Sequence, residues 1–185
     1  LSPEPSGELL DPLNGQRDLH AGLVRVLHPG SFRDDATRIL RALRYEQRLH
    51  FRLEQDTDTL LRRDLSMLDT IGGHRLRQEL AFTFQEPDPS RLLTRLAHLG
   101  VLGALHPPLA HHRDVEPELA RLQHGIPQPQ PLHYLAWLAY PLQSEEAEGL
   151  VARLSMPKRW AAAVRDIVST RHVATELTSS ASPVT

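Results

Sequence analysis

Between Phe32 and Leu49 the apolar residues return every three or four positions. Ala36, Ile39, Leu40 and Leu43 mark one stripe, and Asp34, Asp35, Arg38, Arg41, Tyr45 and Arg48 lie on or near the other side. That period belongs to a helix, and such a stripe has to be buried against other elements. Ser31 follows His28-Pro29-Gly30 in the N-cap place, with Asp34 three residues on. Asp34 and Asp35 in the first turn suit the positive end of the helix dipole.

The same grammar repeats to the end of the chain. Leu60, Leu61, Leu65 and Leu68 predict a second helix that stops before Gly72-Gly73, read as a turn. A third spans about 74–84, with Leu76, Leu80 and Phe84 in register. Ser90 is the expected cap of a helix over 91–99, and Pro107-Pro108 breaks the short apolar piece 101–110. Further helices are expected over 112–123, over 133–142, from Glu145-Glu146 through Leu154, and after Pro157 with Trp160, Val164 and Ile167. Asp11-Pro12 and Asn14-Gly15 are turn signals. Leu23, Val24, Val26 and Leu27 read as a strand or a helix end, and no other strand is expected. The fold class is therefore all-α. The apolar late segment, with Trp137 and Trp160, could bury itself or a partner.

With 185 residues and 40% hydrophobic side chains, a real core fits one compact unit or two small ones. The lack of cysteine excludes disulfides and thiolate metal sites and suits the cytoplasm. No apolar run is long enough for a membrane span, and no signal peptide is visible. Net charge is −2, so RNA would have to be held by a local patch. Lys158 is the single lysine among 21 basic residues, a bias put down to base composition of the gene.

Several strings imitate chemistry. Asp56-Thr57-Asp58 is a D-x-D string, but it falls at a helix start, where Asp is a common cap. His106, His111, His112 and Asp114 are dense in ligands, yet the chain has no His-Asp dipeptide and no H-E-x-x-H, so solvated loop histidines are expected. A Walker loop, a G-x-S-x-G elbow and a cysteine nucleophile are all missing from the sequence. No metal site is expected in this chain.

Two stretches resemble the class II tRNA nucleotidyltransferase (CCA-adding) and bacterial poly(A) polymerase family. One is the connector Asp11, Pro12, Gly15, Asp18, Leu19 and the later Arg25, similar to D-P-x-x-G-x-x-D-L. The other is Asp34-Asp35-Ala36-Thr37-Arg38-Ile39-Leu40-Arg41-Ala42-Leu43-Arg44-Tyr45, similar to E-D-x-x-R followed by R-I-L-R-A-x-R-F, with Asp34 where the family has Glu. A third match is His74-Arg75-Leu76-Arg77-Gln78-Glu79-Leu80. The likeness is specific over 11–51 and generic beyond 90.

What the resemblance implies can be put in hydrogen-bond terms. A carboxylate only accepts and a guanidinium only donates. Asp35 and Arg38, three apart on one helix, would face a base edge that has a donor beside an acceptor, as cytosine and adenine do. Guanine and uracil present the opposite order, and each mismatch would strand polar groups at roughly 1–3 kcal/mol apiece. The bland alternative is a surface ion pair worth under about 1 kcal/mol. Arg41, Arg44 and Arg48 are expected to touch phosphate or to pair with the preceding acids. Asp11, Gly15, Asp18 and Arg25 are expected to form a hinge, with Asp34 in support.

The resemblance further implies connector (1–30), neck (31–88), helical body (89–128) and its second part or the start of a tail (129–174), while the Ser/Thr-rich end (175–185) is expected to be disordered. The catalytic residues and their Mg²⁺ would lie in a head ahead of Leu1, so this chain alone is expected to be inactive. Expected partners are CTP, ATP and the 3′ end and acceptor–elbow region of tRNA. The rival reading is a non-catalytic RNA-binding or scaffold protein with the same helical fold.

Overall fold

The computed structural model describes residues 10–112 and 115–180. The chain is all-α apart from one minimal pair of strands. Asp11 starts it: its carboxylate accepts from the amides of Gly15 (2.7 Å) and Gln16 (2.9 Å) and so caps α1, Gly15–Ala21. Gly22, at φ +63°, ends that helix and turns the chain into β1, Leu23–Val24. The ambiguous connector is thus a strand.

The helix expected from Phe32 to Leu49 is in fact two. α2 is the single turn Ser31–Asp34, and α3 runs Thr37–Arg48. Asp35 between them is extended, at φ −153° and ψ 102°. Its Oδ1 accepts from the Thr37 amide (3.0 Å) and hydroxyl (2.7 Å), a local bond that competes with continuing the helix. Ser31 is no cap either. It is buried, and no side-chain bond caps α2.

The break in pattern after Leu49 is a second strand, which the apolar period did not predict. His50 takes a left-handed turn at φ 54°, and β2, Arg52–Leu53, then pairs in parallel with β1, Leu23 opposite Arg52. α4, Gln55–Arg63, is capped by Glu54 through Thr57 N (3.0 Å), leaving Asp56 and Asp58 in its first turn and not as caps. A 3₁₀ stretch, Leu65–Thr70, leads to α5, Gly73–Phe84. Gly72-Gly73 is accordingly the beginning of a helix.

Asp88, not Ser90, caps α6, Pro89–His98, accepting from Arg91 N at 3.0 Å. After it come α7 (Val101–Leu105), a 3₁₀ stretch (Pro107–His111) and α8 (Val115–Gly125). Then follow α9 (Pro131–Ala139), α10 (Ser144–Arg153) and α11 (Lys158–Ser180). α11 carries the chain in helical form through Ser180. Residues 1–9 of the expected connector and 181–185 of the expected disordered end lie outside the described residues, as does Asp114.

α3 packs on α5 and α6; α6 meets α7 and α8; α9 and α10 pack on α11. Ile39, Leu40 and Leu43 are fully buried, as the stripe predicts, with Phe32, Leu76, Leu80 and Leu92 around them. Phe84 stacks on Tyr134 of α9 (6.0 Å between centroids) and touches Trp160. Trp137 is covered by this chain itself, against the His112 ring (4.5 Å) with its indole N–H on Glu118 (3.1 Å). No described helix is long and apolar enough to cross a membrane.

Candidate nucleotide-reading site

The start of α3 is built from three elements. Asp35 Oδ1 is taken by Thr37, and Oδ2 accepts from Arg75 Nη2 of α5 at 2.8 Å. Partial burial raises the Asp35 carboxyl, but the Thr37 hydroxyl and amide and the Arg75 guanidinium outweigh it and hold the group below its ordinary value. Arg38 turns elsewhere: its Nη1 donates to the carbonyl and hydroxyl of Ser31, both at 3.1 Å. The expected side-by-side helical pair is therefore not what forms, because the extended Asp35 precedes the helix that carries Arg38.

Arg38 lines a cleft of about 590 Å³ together with Arg25, Arg41, Ser31 and Tyr45, floored by Val24 and Val26. Asp34 and Asp35 are not among its lining residues. Arg41 has no hydrogen bond or ion pair among the described residues. Asp34 is exposed and faces His28 at 3.3 Å.

Arg44 and Arg48 are bound into the scaffold, to acids that follow them in sequence and not to those before. Arg44 reaches Glu79 of α5 at 3.2 Å and lies over the Phe82 ring, while Arg48 and Glu86 meet at 2.8 Å. In the connector, Asp18 holds Arg25 at 2.9 Å, and Arg25 reaches Glu54 at 3.4 Å. Asp11 and Gly15 thus meet at the start of α1, and separately Asp18 and Arg25 link α1 to Glu54 at the start of α4. Beside it a second groove, of about 480 Å³, is walled by Leu13, Leu19, Leu27, Tyr45 and Leu49.

Thr37 and Arg75 are not marked as site residues by the sequence, which offers Ser31 only as a cap. Arg75 could have been, since it falls in the third matching segment. No group of three His, Asp or Glu side chains that could hold a metal ion forms among the described residues.

Acid should weaken this corner of the fold. Asp35 and Asp64 both titrate below the ordinary carboxylate value, Asp64 chiefly through Arg63, against its burial, with help from Arg33. A depressed folded value contributes stability above the unfolded value of about 3.9, and that stability is lost as pH falls through the folded value. Unfolding free energy measured across that window should fall with pH, and less steeply in Asp64→Asn. An identical slope in the variant would remove Asp64 from the account.

No family model matches the sequence. Curated relatives do. An A-adding tRNA nucleotidyltransferase of Geobacter sulfurreducens is 40% identical over 111 residues, 59% of this chain and 13% of that protein. A multifunctional CCA protein of Neisseria gonorrhoeae is 30% identical over 175 residues, 90% of this chain and 38% of that protein. Among solved structures, a Thermotoga maritima CCA-adding enzyme complexed with tRNA matches with TM-score 0.77 and 30% identity, over 92% of this chain and 44% of that one. A CCA-adding enzyme in complex with ATP matches with TM-score 0.76 and 31% identity, over 94% of this chain and 44% of that one. The chain spans less than half of each of these proteins. Over the part that it spans, the chain belongs to the tRNA nucleotidyltransferase family.

Proposed function

We propose that this chain is the nucleotide-selecting and tRNA-binding portion of an enzyme that extends RNA 3′ ends from CTP and ATP. The supporting observation is unused hydrogen-bonding capacity at the start of α3. A carboxylate offers about four acceptor sites. Three donors occupy Asp35: the Thr37 amide, the Thr37 hydroxyl and Arg75. One site remains on Oδ2. Arg38 spends Nη1 on Ser31 and has no other partner among the described residues, leaving Nε and Nη2 as donors.

In this reading Asp35 accepts the exocyclic amino group of cytosine or adenine, and Arg38 donates to the neighbouring ring nitrogen. Thr37 and Arg75 keep Asp35 ionised, so it cannot offer a proton to a guanine or uracil carbonyl. Arg41, whose side chain lies in the same cleft with no partner among the described residues, is the candidate for a phosphate. Nucleotide addition itself depends on metal-holding carboxylates from another part of the protein, so this chain alone is inactive. The helical body supplies the tRNA grip, by shape and phosphate contact.

Equilibrium binding of the four nucleoside triphosphates tests the reading. The chain should hold CTP and ATP more tightly than GTP and UTP, and Asp35→Ala should cut that preference about tenfold to a hundredfold. Equal affinity for all four would sink base reading. It would favour a domain that binds RNA without choosing a nucleotide.

A further inference from the structure

α5 stands between the reading segment and the far end of α10. Arg75 and Glu79, four apart on one face, reach Asp35 (2.8 Å) and Arg44 (3.2 Å). Arg77 follows Arg75 by two residues and so points to nearly the opposite side. It donates to the carbonyls of Leu154 (3.0 Å) and Ser155, just past the end of α10. The bond is returned: Arg153, the last residue of α10, donates to the carbonyls of Ile71 (2.9 Å) and Leu68 (2.8 Å), just ahead of α5.

Carbonyls at a helix end have no partner within the helix, so guanidiniums that satisfy them fix one element against another. Here two such bonds run in opposite directions across one junction. Buried Leu68, Ile71, Leu76 and Leu154 surround them. A loose α5 start would let Arg75 drift from Asp35, since Arg75 sits only two residues after Gly73.

We infer that Arg77 and Arg153 are positioning residues for Asp35: a two-way arginine clasp sets the start of α5, and α5 delivers Arg75 to the carboxylate. The consequence is that the body, through the end of α10, holds the nucleotide-reading group in place. Its bearing on nucleotide choice rests on the function proposed above; its bearing on Asp35 does not.

The test follows the Asp35 side-chain carboxyl by carbon NMR through an acid titration of the whole chain, with Glu148 as reference. Glu148, also on α10, is held below its ordinary value by Arg165 and takes no part in the clasp. In Arg153→Ala the Asp35 midpoint should rise while that of Glu148 stays. The CTP and ATP preference should fall about threefold to tenfold in the same variant. Arg77→Ala should repeat both effects. If Arg153→Ala does not fold, Arg153→Lys, whose single ammonium cannot span both carbonyls as the fork does, gives a smaller rise. An unchanged Asp35 midpoint in a folded variant overturns the inference, and so does an equal rise at Glu148, which would mean general loosening. A rise at Asp35 in a chain that shows no nucleotide preference leaves the clasp standing and overturns base reading instead.

Discussion

Gly73→Ala is expected to lose about 3 kcal/mol of stability, an unusually large effect for one methyl group. Propensity alone gives the opposite sign. Gly73 opens α5, and alanine is the better helix former by up to about 1 kcal/mol. Sterics decide. A Cβ here would sit 2.8 Å from Ser155 Oγ and 2.9 Å from the Leu154 carbonyl carbon, and nearer still to the Arg153 carbonyl oxygen. The hydroxyl could turn away, but the backbone is pinned by Arg77 and by the end of α10. Gly72 is the control: a Cβ there meets nothing within 4 Å. Gly72→Ala should cost no more than about 1 kcal/mol, a cap effect. Chemical denaturation of both variants checks this. A Gly73→Ala chain as stable as the parent would mean that α5 and α10 are not tightly apposed.

Glu46→Ala should cost about 2–3 kcal/mol. Glu46 is 5% exposed, and its carboxylate accepts from Arg95 Nε (2.9 Å), Arg95 Nη2 (3.1 Å) and the backbone amide of Leu53 (3.1 Å). Removing one partner of a buried pair strands the others, typically at 3–5 kcal/mol. Arg95 is about a third exposed and can recover water, which places the effect below that range. Glu46→Gln keeps one acceptor and should recover part of the loss. Thermal and denaturant unfolding measure both, and a loss under about 1 kcal/mol would show that Arg95 and Leu53 find new partners readily.

Legibility in the sequence followed the range of the interaction. The α3 stripe was readable because Ile39, Leu40 and Leu43 each announce themselves within a turn of one another. Asp35 was misplaced because an Asp two residues before a Thr can continue a helix or end one, and the apolar period does not distinguish the cases. Arg44 and Arg48 are expected on phosphate or on the preceding acids, whereas their partners Glu79 and Glu86 lie far along the chain, at no helical spacing. Gly73 looked like a turn because the reason for a glycine there, the backbone of Arg153, is invisible until α10 is in place. β2 was missed for a related reason: two residues carry no alternation to detect. The candidate site was legible through a matched motif more than through physics, and that motif also held Arg75.

The pairing of Leu23 with Arg52 closes a loop that contains all of α2 and α3. It is held by Arg52 N on Gly22 O (2.9 Å), Glu54 N on Val24 O (3.0 Å), Val26 N on the Thr57 hydroxyl (3.1 Å) and the Arg25–Glu54 ion pair (3.4 Å). Bonds of this kind leave little surplus over the entropy of closing such a loop from an unfolded chain. The strands are therefore expected to come together after α3 has docked and shortened the loop. The reverse holds in the native protein. Opening of this seam is therefore expected to cost less than global unfolding, which amide exchange at Arg52 and Glu54 would read.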